Sequence, residues 1–174
     1  MKRREWFIGI LALAVIAAAG VIWIAPWKGE PAPAVTLTTT GGKTLSLASL
    51  RGKPVLVTFW ATDCVGCVEE IPALKALYRQ YAPHGFHLIA IAMNYDPPKQ
   101  VRAMIAEKHM PYTVALDSNG AASRAFGDIR VTPTSFLIDP AGYIVKQRLG
   151  NLNMRRVRKQ LKGMLGTEPA AGGS

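Results

Sequence analysis

The sequence predicts an α/β fold in which helices flank a mixed central β-sheet. Strand and helix patterns alternate along residues 35–165. The segment Val55–Trp60 is a continuous run of β-favouring residues, typical of a strand buried on both faces. Asp139–Gly142 is a turn between two further strands, and a helical pattern follows them. This alternation, ending in a hairpin and a helix, indicates one α/β domain, which the length of 174 residues also favours.

The other elements are predicted from local patterns. Gly41–Gly42 separates two short strands and predicts an N-terminal hairpin. Pro72 lies inside the first predicted helix, where it removes one backbone hydrogen bond, and Asn153 can cap the last helix. The predicted strands are Val35–Leu37, Lys43–Ser46, Val55–Trp60, His87–Met93, Thr113–Leu116, Thr134–Ile138 and Tyr143–Leu149. The predicted helices are Cys64–Tyr81, Lys99–Lys108, Ala121–Phe126 and a basic helix after Asn153.

The N-terminus predicts a membrane anchor. Residues 7–25 carry no charge, which is the length and composition of a membrane-spanning helix. Basic residues at positions 2–4 precede this run, so the rest of the chain is expected on the far side of the membrane. A cleaved secretory signal ending near Ala17–Ala19 is the alternative. Either route exports the domain, to a place where disulfides persist.

These patterns define four expected segments. Residues 1–27 form a cytoplasmic basic tip and a transmembrane anchor, and residues 28–34 form a proline-containing linker. Residues 35–166 form the globular domain, and residues 167–174 form a small, polar and disordered tail.

The net charge of +10 does not indicate a nucleic-acid-binding protein. Three basic residues precede the anchor, and seven lie in residues 146–162, where apolar residues recur at helical spacing between them. A solvated helix face accounts for this second group, and attraction to anionic lipid or to an acidic partner is the alternative. Export from the cytoplasm excludes nucleic acid as the expected partner.

Cys64 and Cys67 form a C-x-x-C motif that follows a buried strand and begins a helix. Free N–H groups and the helix dipole favour a thiolate at Cys64, and a thiolate is the attacking species in disulfide exchange. Cys67 lies one helical turn later, where it can resolve a mixed disulfide. The motif therefore predicts redox chemistry at this pair.

Other interpretations of the pair are weaker. A structural staple across so short a loop contributes only roughly 2 kcal/mol, against about 4.7 for a hundred-residue loop. A zinc site with His84 and His87 needs a longer spacing between the histidines. Covalent haem needs a histidine directly after the second cysteine, where Val68 stands. Two inert buried thiols would not explain the position at a helix start. We expect no cofactor and no metal.

Three further residues, Glu70, Thr132 and Pro133, are candidates for the site. Glu70 lies three residues after Cys67, so its carboxylate can exchange a proton with that thiol, or it can be a solvated helix carboxylate. Thr132–Pro133 precedes a buried strand, where a proline can be cis and can leave the backbone of Thr132 free to pair with an extended substrate. From the local sequence alone, a trans turn is favoured.

Three motifs in order resemble one known family. They are Phe59–Thr62 followed by Cys64 and Cys67, then Glu69–Pro72, then Val131–Asp139. In this respect residues 35–165 resemble the TlpA/ResA group of anchored extracytoplasmic thioredoxin-like proteins. The segment Met93–Asp96 is also similar to the cytochrome c maturation reductases of the same superfamily.

The resemblance implies a thioredoxin fold with an added N-terminal hairpin and a Cys64–Cys67 disulfide. It also implies a cis peptide before Pro133, a functional acid at Glu70, and a thiol-disulfide oxidoreductase that reduces exported proteins. The sequence leaves the substrate open between an apocytochrome haem site, a copper-site cysteine pair and another exported thiol protein. The electron donor that the resemblance implies is a membrane reductase of the DsbD/CcdA type. The implied location is the bacterial inner membrane, with the catalytic domain in the periplasm or otherwise outside the cytoplasm.

The chain departs from the family pattern at two positions. Asp63 stands where the family usually has Trp, and Thr58 stands where thioredoxin has a buried Asp, which leaves Glu70 as the candidate proton carrier. A peroxiredoxin would need Thr or Ser where this chain has Ala61. A copper chaperone using the thiols as ligands is the alternative from another class, although such proteins favour a longer cysteine spacing with a partner histidine.

Overall fold

The computed structural model describes residues 29–166, which form a seven-stranded sheet with four α-helices. The predicted anchor at residues 1–27 and the predicted tail at residues 167–174 lie outside this part of the chain. Within residues 29–166, no helix is both long and apolar enough to cross a membrane.

The elements agree with the predicted ones to within two residues at each end. The strands are β1 (Thr36–Thr39), β2 (Thr44–Ser46), β3 (Val55–Trp60), β4 (His87–Ala92), β5 (Thr113–Leu116), β6 (Thr134–Ile138) and β7 (Ile144–Leu149). The helices are α1 (Val65–Tyr81), α2 (Pro98–Lys108), α3 (Ala121–Ala125) and α4 (Met154–Leu165). Short 3-10 turns at Leu47–Leu50 and Ala82–His84 complete the domain.

The sheet is mixed, as predicted, and its strand order is β2-β1-β5-β4-β3-β6-β7. Strands β3, β4 and β5 run parallel, whereas β1, β2, β6 and β7 join through antiparallel pairs. The predicted N-terminal hairpin is present, with Leu37 opposite Leu45. This α/β architecture with a mixed sheet confirms the predicted fold class.

Strand β3 lies between two hydrophobic cores, one on each face of the sheet. Its side chains alternate between the faces of the sheet, so Leu56 and Trp60 pack with α1, α2 and α4. Val57 and Phe59 pack on the opposite face, against α3 and the N-terminal hairpin. Phe59 is fully buried, and burying a side chain of this kind contributes about 1.5–3 kcal/mol. The absence of an exposed face on β3 explains why all of its residues except Thr58 are apolar.

The topology gathers several chain segments at one edge of the sheet. Parallel strands β3 and β4 end there, and the antiparallel strand β6 begins there, because Phe59 pairs with Thr134. Leu149 at the end of β7 pairs with the same Thr134. The residues that follow β3, precede β6 and follow β7 therefore meet at this edge.

Part of the segment predicted as a linker pairs with the sheet. Ile144 donates its N–H to the carbonyl of Glu30 at 2.7 Å, and Ala32 donates to Gly142 at 2.9 Å. Pro31 forms a bridge with Tyr143 between these bonds. Residues 30–32 therefore extend the sheet beside the beginning of β7.

His87, one of the two histidines considered as zinc ligands, lies away from the cysteines. His87 pairs with Val55 at the beginning of β3, whereas Cys64 follows the end of that strand. A strand advances about 3.3 Å per residue, and β3 has six residues, so its two ends lie far apart. His87 and the cysteines therefore do not share a site.

Candidate active site at Cys64 and Cys67

Cys64 and Cys67 are joined by a disulfide at the beginning of α1, with an S–S distance of 2.11 Å and Cα atoms 5.2 Å apart. Cys64 is the N-cap residue, with extended backbone, and its Sγ accepts the N–H of Cys67 at 3.2 Å. Its side chain is half-buried, whereas Cys67 is 4% exposed. A partner thiol or disulfide can therefore reach the sulfur of Cys64, while Cys67 is covered by the protein.

The residues around the disulfide differ in exposure. Asp63 is exposed, so water and salt screen its charge from Cys64. Val65 is 71% exposed and presents an apolar side chain beside the disulfide. Val131 and Leu149, which belong to the neighbouring segments at this edge, are also exposed apolar residues. The surface around Cys64 thus offers apolar contacts to a partner.

Gly66 allows a close approach between α1 and the segment after β7. A Cβ at this position would lie 2.8 Å from Oδ1 of Asn151 and 3.8 Å from Cδ of Pro133. A contact of 2.8 Å is shorter than side chains tolerate, so Asn151 would have to move to admit any larger residue. The absence of a side chain at Gly66 therefore leaves room for Asn151 and Pro133 beside the cysteines.

The peptide bond between Thr132 and Pro133 is cis, as the family resemblance implies. The carbonyl of Pro133 accepts the N–H of Gly150 at 2.8 Å, and the hydroxyl of Thr134 donates to the carbonyl of Val131 at 2.6 Å. Within residues 29–166, no backbone-to-backbone hydrogen bond involves Thr132. The N–H and C=O of Thr132, a half-buried residue, are therefore not used in backbone pairing within this part of the chain.

Glu70 is a buried carboxyl, one helical turn beyond Cys67 on α1. It is only 5% exposed, so the alternative of a solvated helix carboxylate is wrong. Its Oε1 accepts the N–H of Leu152 at 2.5 Å, which joins α1 to the segment before α4. Burial raises the pKa of Glu70, and the hydrogen bond from Leu152 offsets part of this increase.

Tyr112 is a second buried polar group near Glu70. Burial, and after it the charge of Glu70, raises the pKa of Tyr112 above its usual range. Its hydroxyl has no hydrogen-bonding partner among the described residues, and neither has the indole N–H of Trp60. No pattern in the sequence identifies Tyr112, because it lies at the start of a strand distant from the cysteines.

Asp96 holds the turn that precedes Cys64. This buried carboxylate follows β4, and its two oxygens accept the N–H and the hydroxyl of Thr62, each at 2.7 Å. Thr62 lies two residues before Cys64, so Asp96 sets the path of the chain from β3 into α1. In the sequence, Asp96 belongs to the Met93–Asp96 segment that is similar to the cytochrome c maturation reductases. That similarity does not show the contact with Thr62.

Thr58, at the position where the resemblance places the buried aspartate of thioredoxin, forms a neutral hydrogen bond. Its hydroxyl accepts that of Ser135 at 2.9 Å, and both side chains are buried. Of the buried carboxyls among the described residues, Asp96 accepts from Thr62, and Asp117 accepts from the backbone at the start of α3. Glu70 is thus the buried carboxyl on the redox helix.

No described group of three or more His, Cys, Asp and Glu side chains in residues 29–166 is arranged to hold a metal ion. The structure shows the Cys64–Cys67 disulfide at the start of α1 and the buried carboxyl of Glu70 one turn further along the same helix.

Comparison with known proteins agrees with this site. The Redoxin family model matches residues 28–165. The chain belongs to the redoxin family. It is 30% identical to the thiol-disulfide oxidoreductase ResA of Bacillus subtilis over 160 residues, which cover 87% of this chain and 88% of that protein. It is 28% identical to the thioredoxin-like protein YneN of the same species, covering 91% of this chain and 97% of that protein.

A solved structure shows the same fold. A thioredoxin-family thiol:disulfide interchange protein from Chlorobium tepidum superposes with a TM-score of 0.72 at 31% identity, covering 82% of this chain and 100% of that one. The predicted TlpA/ResA-like membership is therefore confirmed. The redoxin domain, its relatives and the Cys64–Cys67 pair establish a thiol-disulfide oxidoreductase.

The replacement Glu70→Gln tests the ionisation of the buried carboxyl. Because the folded-state pKa of Glu70 is raised, its contribution to stability is complete below the unfolded pKa of about 4.3 and is lost as pH rises through the folded value. The amide of the variant keeps an acceptor for the N–H of Leu152 but cannot ionise. We expect the free energy of unfolding of the oxidised variant to match wild type at low pH and exceed it at neutral pH, by about 1.4 kcal/mol per unit of pKa increase. Coincident stability curves at all pH values would contradict this account.

The replacement Asp96→Ala tests the contact that holds Thr62. It removes both acceptors, and hydrogen bonds to charged groups contribute about 1.5–3 kcal/mol each. Because two such bonds are lost, we expect chemical denaturation to show a loss of roughly 3–6 kcal/mol. Asp96→Asn is the matched control, because its amide can accept from the N–H of Thr62 and donate to its hydroxyl, so it should retain most of the stability. A variant Asp96→Ala as stable as wild type would show that this contact contributes nothing.

Proposed function

We propose that this protein reduces disulfides in exported proteins, with Cys64 as nucleophile and Cys67 as resolving thiol. The observation that carries the proposal is the unequal burial of the two sulfurs at the start of α1. Cys64 is accessible and accepts an N–H from the first turn, which favours its thiolate, whereas Cys67 is enclosed.

The reaction proceeds by two thiol-disulfide exchanges. The Cys64 thiolate attacks one sulfur of the substrate disulfide, forms a mixed disulfide and releases the other substrate sulfur as a thiolate. The Cys67 thiolate then attacks Sγ of Cys64, forms the Cys64–Cys67 disulfide and releases the second substrate thiolate. Two electrons pass from the dithiol to the substrate, and the structure shows the oxidised product state of the enzyme.

Glu70 is the proposed acceptor of the Cys67 proton in the second exchange. A buried carboxyl with a raised pKa binds a proton more readily than an exposed one, as a base working near neutral pH requires. Its position one turn beyond Cys67 on the same helix supports this role.

The backbone of Thr132 is the proposed binding site for the substrate chain. It lies at the same edge of the sheet as the disulfide, next to Pro133, and it lacks a backbone partner in the described part of the chain. An extended peptide that pairs there would place its cysteine beside Cys64.

The proposed location is the outer side of the bacterial inner membrane. The uncharged run at residues 7–25 and the basic residues before it support a single-pass anchor with the domain outside the cytoplasm. In this position the disulfide needs a dithiol donor to return it to the reduced form, and a membrane reductase of the DsbD/CcdA type would supply one.

Reduction of apocytochrome c is a second, narrower candidate. It is supported by the similarity of the Met93–Asp96 segment to the cytochrome c maturation reductases. Apocytochromes and other exported proteins with cysteine pairs need the same transfer of two electrons. The midpoint potential of the Cys64–Cys67 couple therefore tests the reductase chemistry for both kinds of substrate.

The midpoint potential of the Cys64–Cys67 couple tests the direction of electron transfer. A negative charge near the pair disfavours the thiolate and so destabilises the reduced form. The negative charge of the buried Glu70 destabilises the reduced form in this way, and the screened charge of Asp63 adds little to the effect. We expect equilibration with glutathione buffers to give a value between roughly −200 and −270 mV. A value near about −120 mV, which is typical of a strong oxidant, would contradict the reductase proposal.

A further inference from the structure

A basic groove lies between strand β7 and helix α4. Its volume is ≈ 450 Å³, and its lining includes Lys146 and Arg148 from the strand and Arg156 and Lys159 from the helix. Apolar and amide side chains complete the lining, and no acidic residue lines it. We call this feature the β7–α4 groove.

The four cations of the β7–α4 groove are not neutralised within the described structure. All four side chains are exposed, and the one ion pair among residues 29–166 joins Lys108 to Glu107 on another helix. A solvated helix face accounts for Arg155 and Lys162, which lie on α4 outside the groove. It does not account for cations that two different elements direct into one concavity.

The β7–α4 groove adjoins the redox site. Asn151, in the segment between β7 and α4, lies against Gly66 of the C-x-x-C motif. The next residue, Leu152, lines the groove and donates its N–H to Glu70. Two consecutive residues therefore connect the C-x-x-C motif to the groove.

The edge of β7 is open beside the groove. Residues 30–32 cover only the beginning of the strand, at Tyr143 and Ile144. Beyond Ile144, the described structure places no strand on the outer edge of β7. A free strand edge can pair with an extended polypeptide, and an extended chain advances about 3.3 Å per residue.

We propose that polypeptides exchanging disulfides with Cys64 carry acidic side chains near their cysteine, and that these bind the β7–α4 groove. This inference rests on the proposed function and adds the charge of the partner. A polypeptide is favoured over a membrane surface, because the cations converge in a concavity next to the disulfide instead of forming a flat face.

The test compares three synthetic disulfide peptides that differ only in the residues flanking one cysteine, which are Asp, Ser or Lys. The reduced full-length protein in neutral detergent is mixed with each peptide, and rates are measured at low and at physiological salt. We expect the Asp peptide to react about tenfold faster than the Lys peptide at low salt, with a smaller difference at higher salt.

Two charge-reversal variants locate the effect. Arg156→Glu with Lys159→Glu changes the groove, and Arg155→Glu with Lys162→Glu makes the same change in net charge outside it. We expect the groove variant to lose or invert the preference for the Asp peptide over the Lys peptide. The variant of Arg155 and Lys162 should keep most of that preference. A small neutral disulfide, bis(2-hydroxyethyl) disulfide, should react equally with all three proteins.

Three outcomes would overturn the proposal. Equal rates for the Asp and Lys peptides with wild type would do so, as would equal losses in the two variants. Protection of Lys146 and Lys159 from acetylation by phosphatidylglycerol vesicles, without any preference among peptides, would assign the groove to lipid instead. A wild-type protein that reduces neither the small disulfide nor any peptide would contradict the proposed function itself.

Discussion

The burial of strand β3 along its whole length is the constraint on which the site depends. All six of its residues are buried, with neighbouring strands on both sides and a hydrophobic core on each face. A strand held in this way cannot slide without exposing apolar side chains, so the residue that begins α1 has a defined position. Asp96 secures the remaining turn through Thr62. Cys64 therefore caps the helix, and Cys67 follows it into the core.

The segment between β7 and α4 contacts three parts of the site: the cis-proline, the C-x-x-C motif and the buried carboxyl. Gly150 bonds to Pro133, Asn151 touches Gly66, and Leu152 bonds to Glu70. The proposed substrate-binding edge, the redox motif and the buried carboxyl thus contact three consecutive residues. A change in the protonation of Glu70 acts directly on the hydrogen bond from Leu152, which also lines the β7–α4 groove. The proposed proton transfer and the proposed partner binding therefore involve the same segment of the chain.

Much of the fold was predictable because its elements have strong local patterns. The apolar run of β3, the helical spacing after Cys64 and the cap at Asn153 each specify structure within a few residues, and the Asn153 side chain does accept from Arg156. The contacts that complete the site are long-range. Glu70 and Leu152 are 82 residues apart in the chain, and Thr62 and Asp96 are 34 apart. Whether Glu70 is buried or solvated depends on such contacts, and helical periodicity alone does not decide it.

The relative reactivity of the two thiols tests the central claim, that the helix start makes Cys64 the attacking sulfur. The fully reduced protein is exposed briefly to iodoacetamide at neutral pH, and mass spectrometry of its peptides measures the alkylation rate at each cysteine. The unequal exposure of the two side chains and the position of Cys64 at the N-cap predict that it reacts at least about tenfold faster than Cys67. Equal rates, or faster modification of Cys67, would contradict the assignment of nucleophile and resolving thiol.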